Sequence, residues 1–224
     1  MPRPLRSTSS GNIDFESFLT SNASTGEIRT KRDARAVILT AESFLALAEA
    51  VRDRLGDEVG HVLYRAGHAW GRQRFREFAE DIEQSGDVLY HMRNMGIEQF
   101  RDLFNDLLVC GGWGTFTIEE RLEIVLVHVH NSAFHEMVSN TDRRYTDFFA
   151  GFLAGFYSDL IGVKLDAVQI GGFGEAQEPC TFMLADEAII TAVRHWLDTG
   201  KSCDEVLELV KTGEQHNAPP NPNR

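Results

Sequence analysis

Apolar residues recur along this chain at two different periods. At positions 145, 148, 149, 152, 153, 156, 157 and 160 they fall on one helical stripe, rich in aromatic rings, so a helix is predicted over about 142–161. Gly151 and Gly155 sit one turn apart within it, beside Ala150 and Ala154. A glycine inside a helix costs about 1 kcal/mol relative to alanine, so two in register point to the close approach of another backbone or of a flat ligand. The same helical period predicts helices from Thr40, as N-cap, to about Leu55, from Glu58 to about Asp81, and from Ile97 to Val109. Two further helices are predicted near the C-terminus, at about 186–198 and 203–212, the second opened by a Ser202/Glu205 capping box.

Strand-like runs lie between the helices. Arg35–Leu39 is a short apolar run. Arg121–His130 is apolar on both faces and predicts a central, buried strand. Val163–Ile170 and Cys180–Leu184 read as a hairpin around a loop that begins Gly171-Gly172-Phe173-Gly174. Helices before and after a small sheet with hairpin connections give an α+β fold: a small antiparallel sheet packed against a helical layer. The tails 1–12 and 213–224, rich in Pro, Ser, Gly and Asn, are expected to be disordered around a domain at 13–185 and a helical extension at 186–212.

The chemistry on offer is sparse. His128 and His130 share one strand face and His135 and Glu136 follow, a spacing that a metal site can use but that plain half-buried histidines share. The Gly171–Gly174 run has no following Lys-Ser/Thr and opens no helix, so it is a turn and not a phosphate cradle. No nucleophile elbow is present. Trp70, Trp113 and the rings of the aromatic helix could line a pocket for a flat apolar molecule, or fill a core.

Composition narrows the field further. The 224 residues carry a formal net charge of -12 with 42% hydrophobic and 25% charged residues, a globular balance that repels nucleic acid and anionic membrane. Cys110, Cys180 and Cys203 form neither a disulfide framework nor a zinc ribbon, and the first residues form no signal peptide, so a cytoplasmic protein is expected. No run is long and apolar enough for a membrane span.

The order of these elements resembles the 4-vinyl reductase domain. The resemblance rests on Asp33-Ala34-Arg35-Ala36-Val37-Ile38-Leu39 before a helix, Leu63-Tyr64-Arg65-Ala66-Gly67-His68-Ala69-Trp70-Gly71-Arg72, Gly111-Gly112-Trp113-Gly114 before a strand and Asn131-Ser132-Ala133-Phe134 after one. It continues in Phe149-Ala150-Gly151-Phe152-Leu153-Ala154-Gly155-Phe156 and Glu178-Pro179-Cys180-Thr181-Phe182, covering roughly 30–185. That family shares its fold with TRAPP vesicle-tethering subunits and with aromatic-responsive bacterial sensor domains. The resemblance implies a homodimeric, non-enzymatic small-molecule-binding domain, sensor or carrier, for a flat hydrophobic ligand such as an aromatic, a tetrapyrrole or an acyl chain.

Trp113, Phe134, Phe148, Phe152 and Phe156 are the expected lining, with Gly151 and Gly155 as the helix-packing or dimer notch. The alternatives are a structural or adaptor subunit with a filled pocket, its notch packed on a twin helix or its surface on a separate protein partner, and an accessory factor of tetrapyrrole (bacteriochlorophyll) metabolism. Zinc-binding relatives use Cys, Glu, Cys and Cys where this chain has Thr146, Gln169, Gly172 and Cys180. One such ligand cannot hold structural zinc, so no metal and no cofactor are expected.

Overall fold

The computed structural model describes residues 19–30, 33–83, 104, 111–121, 123–133, 143–173 and 178–213. Short strands β1 (Leu19–Asn22), β2 (Glu27–Thr30) and β3 (Arg35–Ala36) form a small antiparallel sheet in that order. Helix α1 (Ala41–Leu55) follows, started by the Thr40 side chain accepting from the Ser43 N–H, and α2 (Val59–Glu83) comes after one 3-10 turn. The run read as a strand at Arg35–Leu39 is strand only at Arg35–Ala36. Val37, Ile38 and Leu39 stand 77%, 70% and 65% exposed. Three adjacent aliphatics imitate a buried strand in sequence, but no described element covers them.

The main sheet holds β4 (Thr115–Arg121), β5 (Ile124–His130), β6 (Asp166–Gly171) and β7 (Cys180–Ala185) in the antiparallel order β4-β5-β7-β6. The single strand read over Arg121–His130 is therefore the second half of a hairpin. Arg121 pairs with Ile124 across a turn that has no Gly, Pro, Asn or Asp to mark it. β5 is central and mostly buried, as its two apolar faces require. The β6–β7 hairpin forms as read, with a register irregularity between Gln169 and Gly171.

Helix α3 (Asp147–Ile161) runs from a 3-10 turn at Arg143–Thr146 to Gly162, which takes the left-handed conformation at the C-cap. It lies with α2 on one face of the sheet, where Phe116, Val127, Val129, Phe182 and Leu184 meet Phe149, Phe152 and Phe156. On the opposite face α4 (Glu187–Asp198) and α5 (Cys203–Lys211) cover Ile124, Leu126, Val168, Ile170 and Met183 with Ile189, Ile190, Val193 and Val206. The sheet is thus buried on both sides, and the C-terminal helices share its core. The Ser202/Glu205 capping box is formed. Apart from Phe104, the helix read over Ile97–Val109 lies outside the described residues, as do the tails before Leu19 and after Gly213. Among the described residues no helix is long and apolar enough to cross a membrane.

Candidate functional site

Two helices set the site, and four glycines set the helices. A β-carbon on Gly67 would lie 1.8 Å from the Phe148 carbonyl oxygen, and one on Gly71 would lie 2.1 Å from that of Phe152. Reciprocally, β-carbons on Gly151 and Gly155 would meet the carbonyl oxygens of Tyr64 and His68 at 2.0 and 2.2 Å. The α2 and α3 backbones therefore touch, because two Gly-x-x-x-Gly steps face each other. The notch at Gly151 and Gly155 is occupied by α2 of the same chain, so a twin helix from a second copy has no room there. Gly67 and Gly71 carry the same spacing in the sequence, which is the signal that pairs the two helices.

This close approach fixes the rings on either side of it. Trp70 of α2 sits 4.5 Å, centroid to centroid, from Phe152 and 5.6 Å from Phe148. Trp113, just before β4, lies 5.7 Å from Trp70 and 5.9 Å from Phe149, and Phe44 of α1 makes an edge contact with Phe148 at 5.1 Å. Phe149 and Phe152 are fully buried, whereas Trp70, Trp113, Phe148 and Phe44 are half-buried. The result is an aromatic patch with a buried floor and a partly open rim. Of the expected lining residues, Trp113, Phe148 and Phe152 come together, and Trp70 and Phe44 join them. Phe156 lies one turn further along α3 and packs on Phe75 and Phe104, at 5.6 and 5.1 Å. Phe134 lies outside the described residues.

A polar cluster ties α2 to the sheet edge and to α4. The Tyr64 hydroxyl donates to Asp166, and burial together with that carboxylate pushes the phenol pKa well above its ordinary range. Arg194 of α4 lies over the Tyr64 ring at 5.6 Å, donates to the Ala167 carbonyl at 2.7 Å, and faces Asp166 and Asp147 at 3.5 and 3.9 Å. One guanidinium therefore bridges α2, α3, β6 and α4.

The histidines have other partners. His128 Nδ1 pairs with the Thr181 hydroxyl at 3.1 Å, and its Nε2 is 3.7 Å from Glu119. Burial lowers its pKa, with Glu119 opposing. His130 pairs with the Thr117 hydroxyl at 3.1 Å, and His135 lies outside the described residues. Among the described residues no group of three or more His, Cys, Asp or Glu could hold a metal ion. At the positions that the sequence resemblance compares with a zinc site, Gln169 Nε2 donates to the carbonyls of Gly171 and Gly172 at 2.8 and 3.4 Å, and the Cys180 thiol donates to the Gly172 carbonyl at 3.7 Å. Gly172 has φ +76°, and a β-carbon there would lie 2.3 Å from the Pro179 carbonyl oxygen. A carboxamide, a glycine and a thiol whose pKa burial raises do not fit a dication that needs closed anionic coordination.

No family model matches the chain, and no curated protein sequence matches it. Solved structures do. The phenol-responsive sensory domain of the transcription activator PoxR, in its phenol complex, superposes with a TM-score of 0.56 at 18% identity, over 77% of this chain and 87% of that one. This chain therefore has the α+β fold of that sensory domain. A trafficking protein particle complex subunit 3 from Naegleria fowleri, covalently bound to palmitic acid, gives 0.49 at 9% identity over 65% and 91% of the two chains. A vinyl-4-reductase family protein from Methanocaldococcus jannaschii gives 0.44 at 16% identity over 66% and 82%.

Proposed function

We propose that this chain is a non-enzymatic small-molecule-binding domain, a sensor or carrier, whose ligand is a flat hydrophobic molecule held at the Trp70–Trp113–Phe148–Phe152 patch. The observation that carries this reading is the half-buried state of Trp70, Trp113 and Phe148 above the fully buried Phe149 and Phe152. A flat ligand laid there would remove the exposed ring edges from water. Burying ~150–250 Å² of aromatic surface contributes several kcal/mol before ordering costs. The PoxR sensory domain carries phenol on the same fold, which fits this reading.

The domain acts as a homodimer in this reading. With the glycine notch filled internally, the partner copy would use the outward side of α1 and its approach, where Val37, Ile38, Leu39 and Leu47 are exposed. A second reading, a structural or adaptor subunit with a filled pocket, draws on the same rings. Their centroid spacings run from 4.5 to 6.3 Å, so they already pack on one another. Equilibrium dialysis with naphthalene separates the two. Uptake by the wild type and its weakening in Phe148→Ala, at the half-buried rim, with the fold retained by melting, support the ligand site, and unchanged uptake in that variant removes Phe148 from it.

A further inference from the structure

Among the described residues eight large apolar side chains are exposed. Six of them, Val37, Ile38, Leu39, Leu47, Leu55 and Val62, lie on α1, on its approach or on the first turn of α2. Apolar residues gathered on one side of a chain in this way mark an association surface.

The charges beside them follow a pattern. On α1, Glu42, Glu49 and Asp53 succeed one another at steps of seven and four residues, next to the exposed Ala46, Leu47 and Ala50. On α2, Arg65, Arg72 and Arg76 succeed one another at the same steps of seven and four, next to the exposed Ala66 and Ala69. At 3.6 residues per turn each set forms one stripe along its helix. Gly67 and Gly71, which rest on α3, lie on the opposite side of α2 from its arginines. The two helices are neighbours. Ala48 of α1 shares a core with Val59 and Leu63 of α2, and Phe148 touches both Phe44 and Trp70.

These charges have few partners within the chain. Arg72 pairs with Asp159 at 3.0 Å, and Asp53 lies 3.9 Å from Arg52. Glu42, Glu49, Arg65 and Arg76 have no ion-pair partner among the described residues.

We infer that a second copy of the chain docks here, its basic α2 stripe against the acidic α1 stripe of the first, with the reciprocal contact made at the same time. The inference rests on the homodimer reading above and names its contact. An isologous pair makes every contact twice, and this chain carries both halves of the match. With a formal net charge of -12, two copies repel unless a basic region of one meets an acidic region of the other. An acidic partner of another kind would cover the arginines and leave the α1 carboxylates unmatched.

Sedimentation equilibrium of the full chain tests this with two charge-reversed variants, Glu49→Lys with Asp53→Lys and Arg65→Glu with Arg76→Glu. None of these four residues belongs to the aromatic patch. The wild type should be a dimer. Each variant alone sets like charges together at both contacts and should dissociate about ten-fold more readily. An equimolar mixture of the two variants should dimerise to within about three-fold of the wild type, because both contacts are then matched with opposite sign. A chain carrying all four substitutions should do the same. If a paired variant does not melt cooperatively, the exposed single changes Asp53→Lys and Arg76→Glu take its place, with a smaller shift in the same direction. Undiminished dimers in both variants, or a mixture no stronger than either variant alone, overturn the inference and leave the homodimer reading standing on another surface. A wild type that is monomeric at every concentration overturns both and leaves the ligand-binding reading untouched.

Discussion

The carbonyl oxygen of Phe148 occupies the space that a β-carbon on Gly67 would need, 1.8 Å from its ideal position. Because Gly151 stands in the same relation to Tyr64, the α2–α3 crossing has no slack on either side. Gly67→Ala and Gly151→Ala should each destabilise the fold by about 2–4 kcal/mol, since backbone must move to admit a methyl group. Chemical denaturation of the two variants checks this. Ala66→Gly, at an exposed position of α2, should cost only about 1 kcal/mol.

Stability and ligand uptake should separate along α3. Phe156 is fully buried against Phe75 and Phe104, so Phe156→Ala should cost about 3–5 kcal/mol of stability. Phe148 is half-buried at the rim, so Phe148→Ala should cost less stability but weaken naphthalene uptake several-fold. Thermal melts and dialysis on the same preparations measure both quantities. Equal losses in both variants would mean that the rim is core.

The pH dependence has two sides. Tyr64 is held neutral in the folded state, with a pKa raised by burial and by Asp166 above its ordinary value of 10.0. A raised pKa gives stability that is full below the unfolded value and lost as pH rises through the folded one, so melting temperature should fall above about pH 10. Tyr64→Phe should flatten that limb. His68 and His128 have pKa values lowered from 6.5, by burial first in both cases. Their contribution is present above the unfolded value and is lost as pH falls below it, so stability should also decline on the acid side of 6.5. His128→Gln should lessen that decline. Melting curves across the pH range read both effects.

The C-terminal helices should prove inseparable from the sheet. α4 and α5 cover Ile124, Leu126, Val168 and Met183, all at or below 7% exposure, and Arg194 bonds the Ala167 carbonyl. Cutting the chain after Ala185 would bare that apolar face, and the product should be insoluble or aggregate on sizing. A milder probe is Ser202→Ala, which removes one half of the capping box and should cost about 1 kcal/mol.

Much of this was readable in the chain, and the exceptions have physical causes. The aromatic helix, the β6–β7 hairpin, the Thr40 cap and the Ser202/Glu205 box are local patterns, and local patterns survive tertiary context. The β4–β5 hairpin was not readable, because the sequence between Arg121 and Ile124 has no Gly, Pro, Asn or Asp and the Ile124–His130 run is apolar on both faces. The exposure of Val37–Leu39 could not be read either, since three aliphatics give the same pattern whether a neighbour covers them or not. That Trp113, Phe148 and Phe152 would lie close together was readable from type and spacing. Trp70 was grouped with them from residue type, whereas Phe44 of α1 was not, because its contact with Phe148 follows only from how α1 packs in three dimensions.

The central claim is that the aromatic patch holds a small flat molecule, and native mass spectrometry of the purified chain tests it most directly. Sprayed from ammonium acetate after addition of 2-naphthol, the protein should appear as a dimer carrying one added ligand mass per copy, with the rim variant Phe148→Ala carrying less ligand at the same probe concentration. An unliganded dimer at every probe concentration, identical in the wild type and the variant, would contradict the account and leave a domain whose aromatic layer only packs.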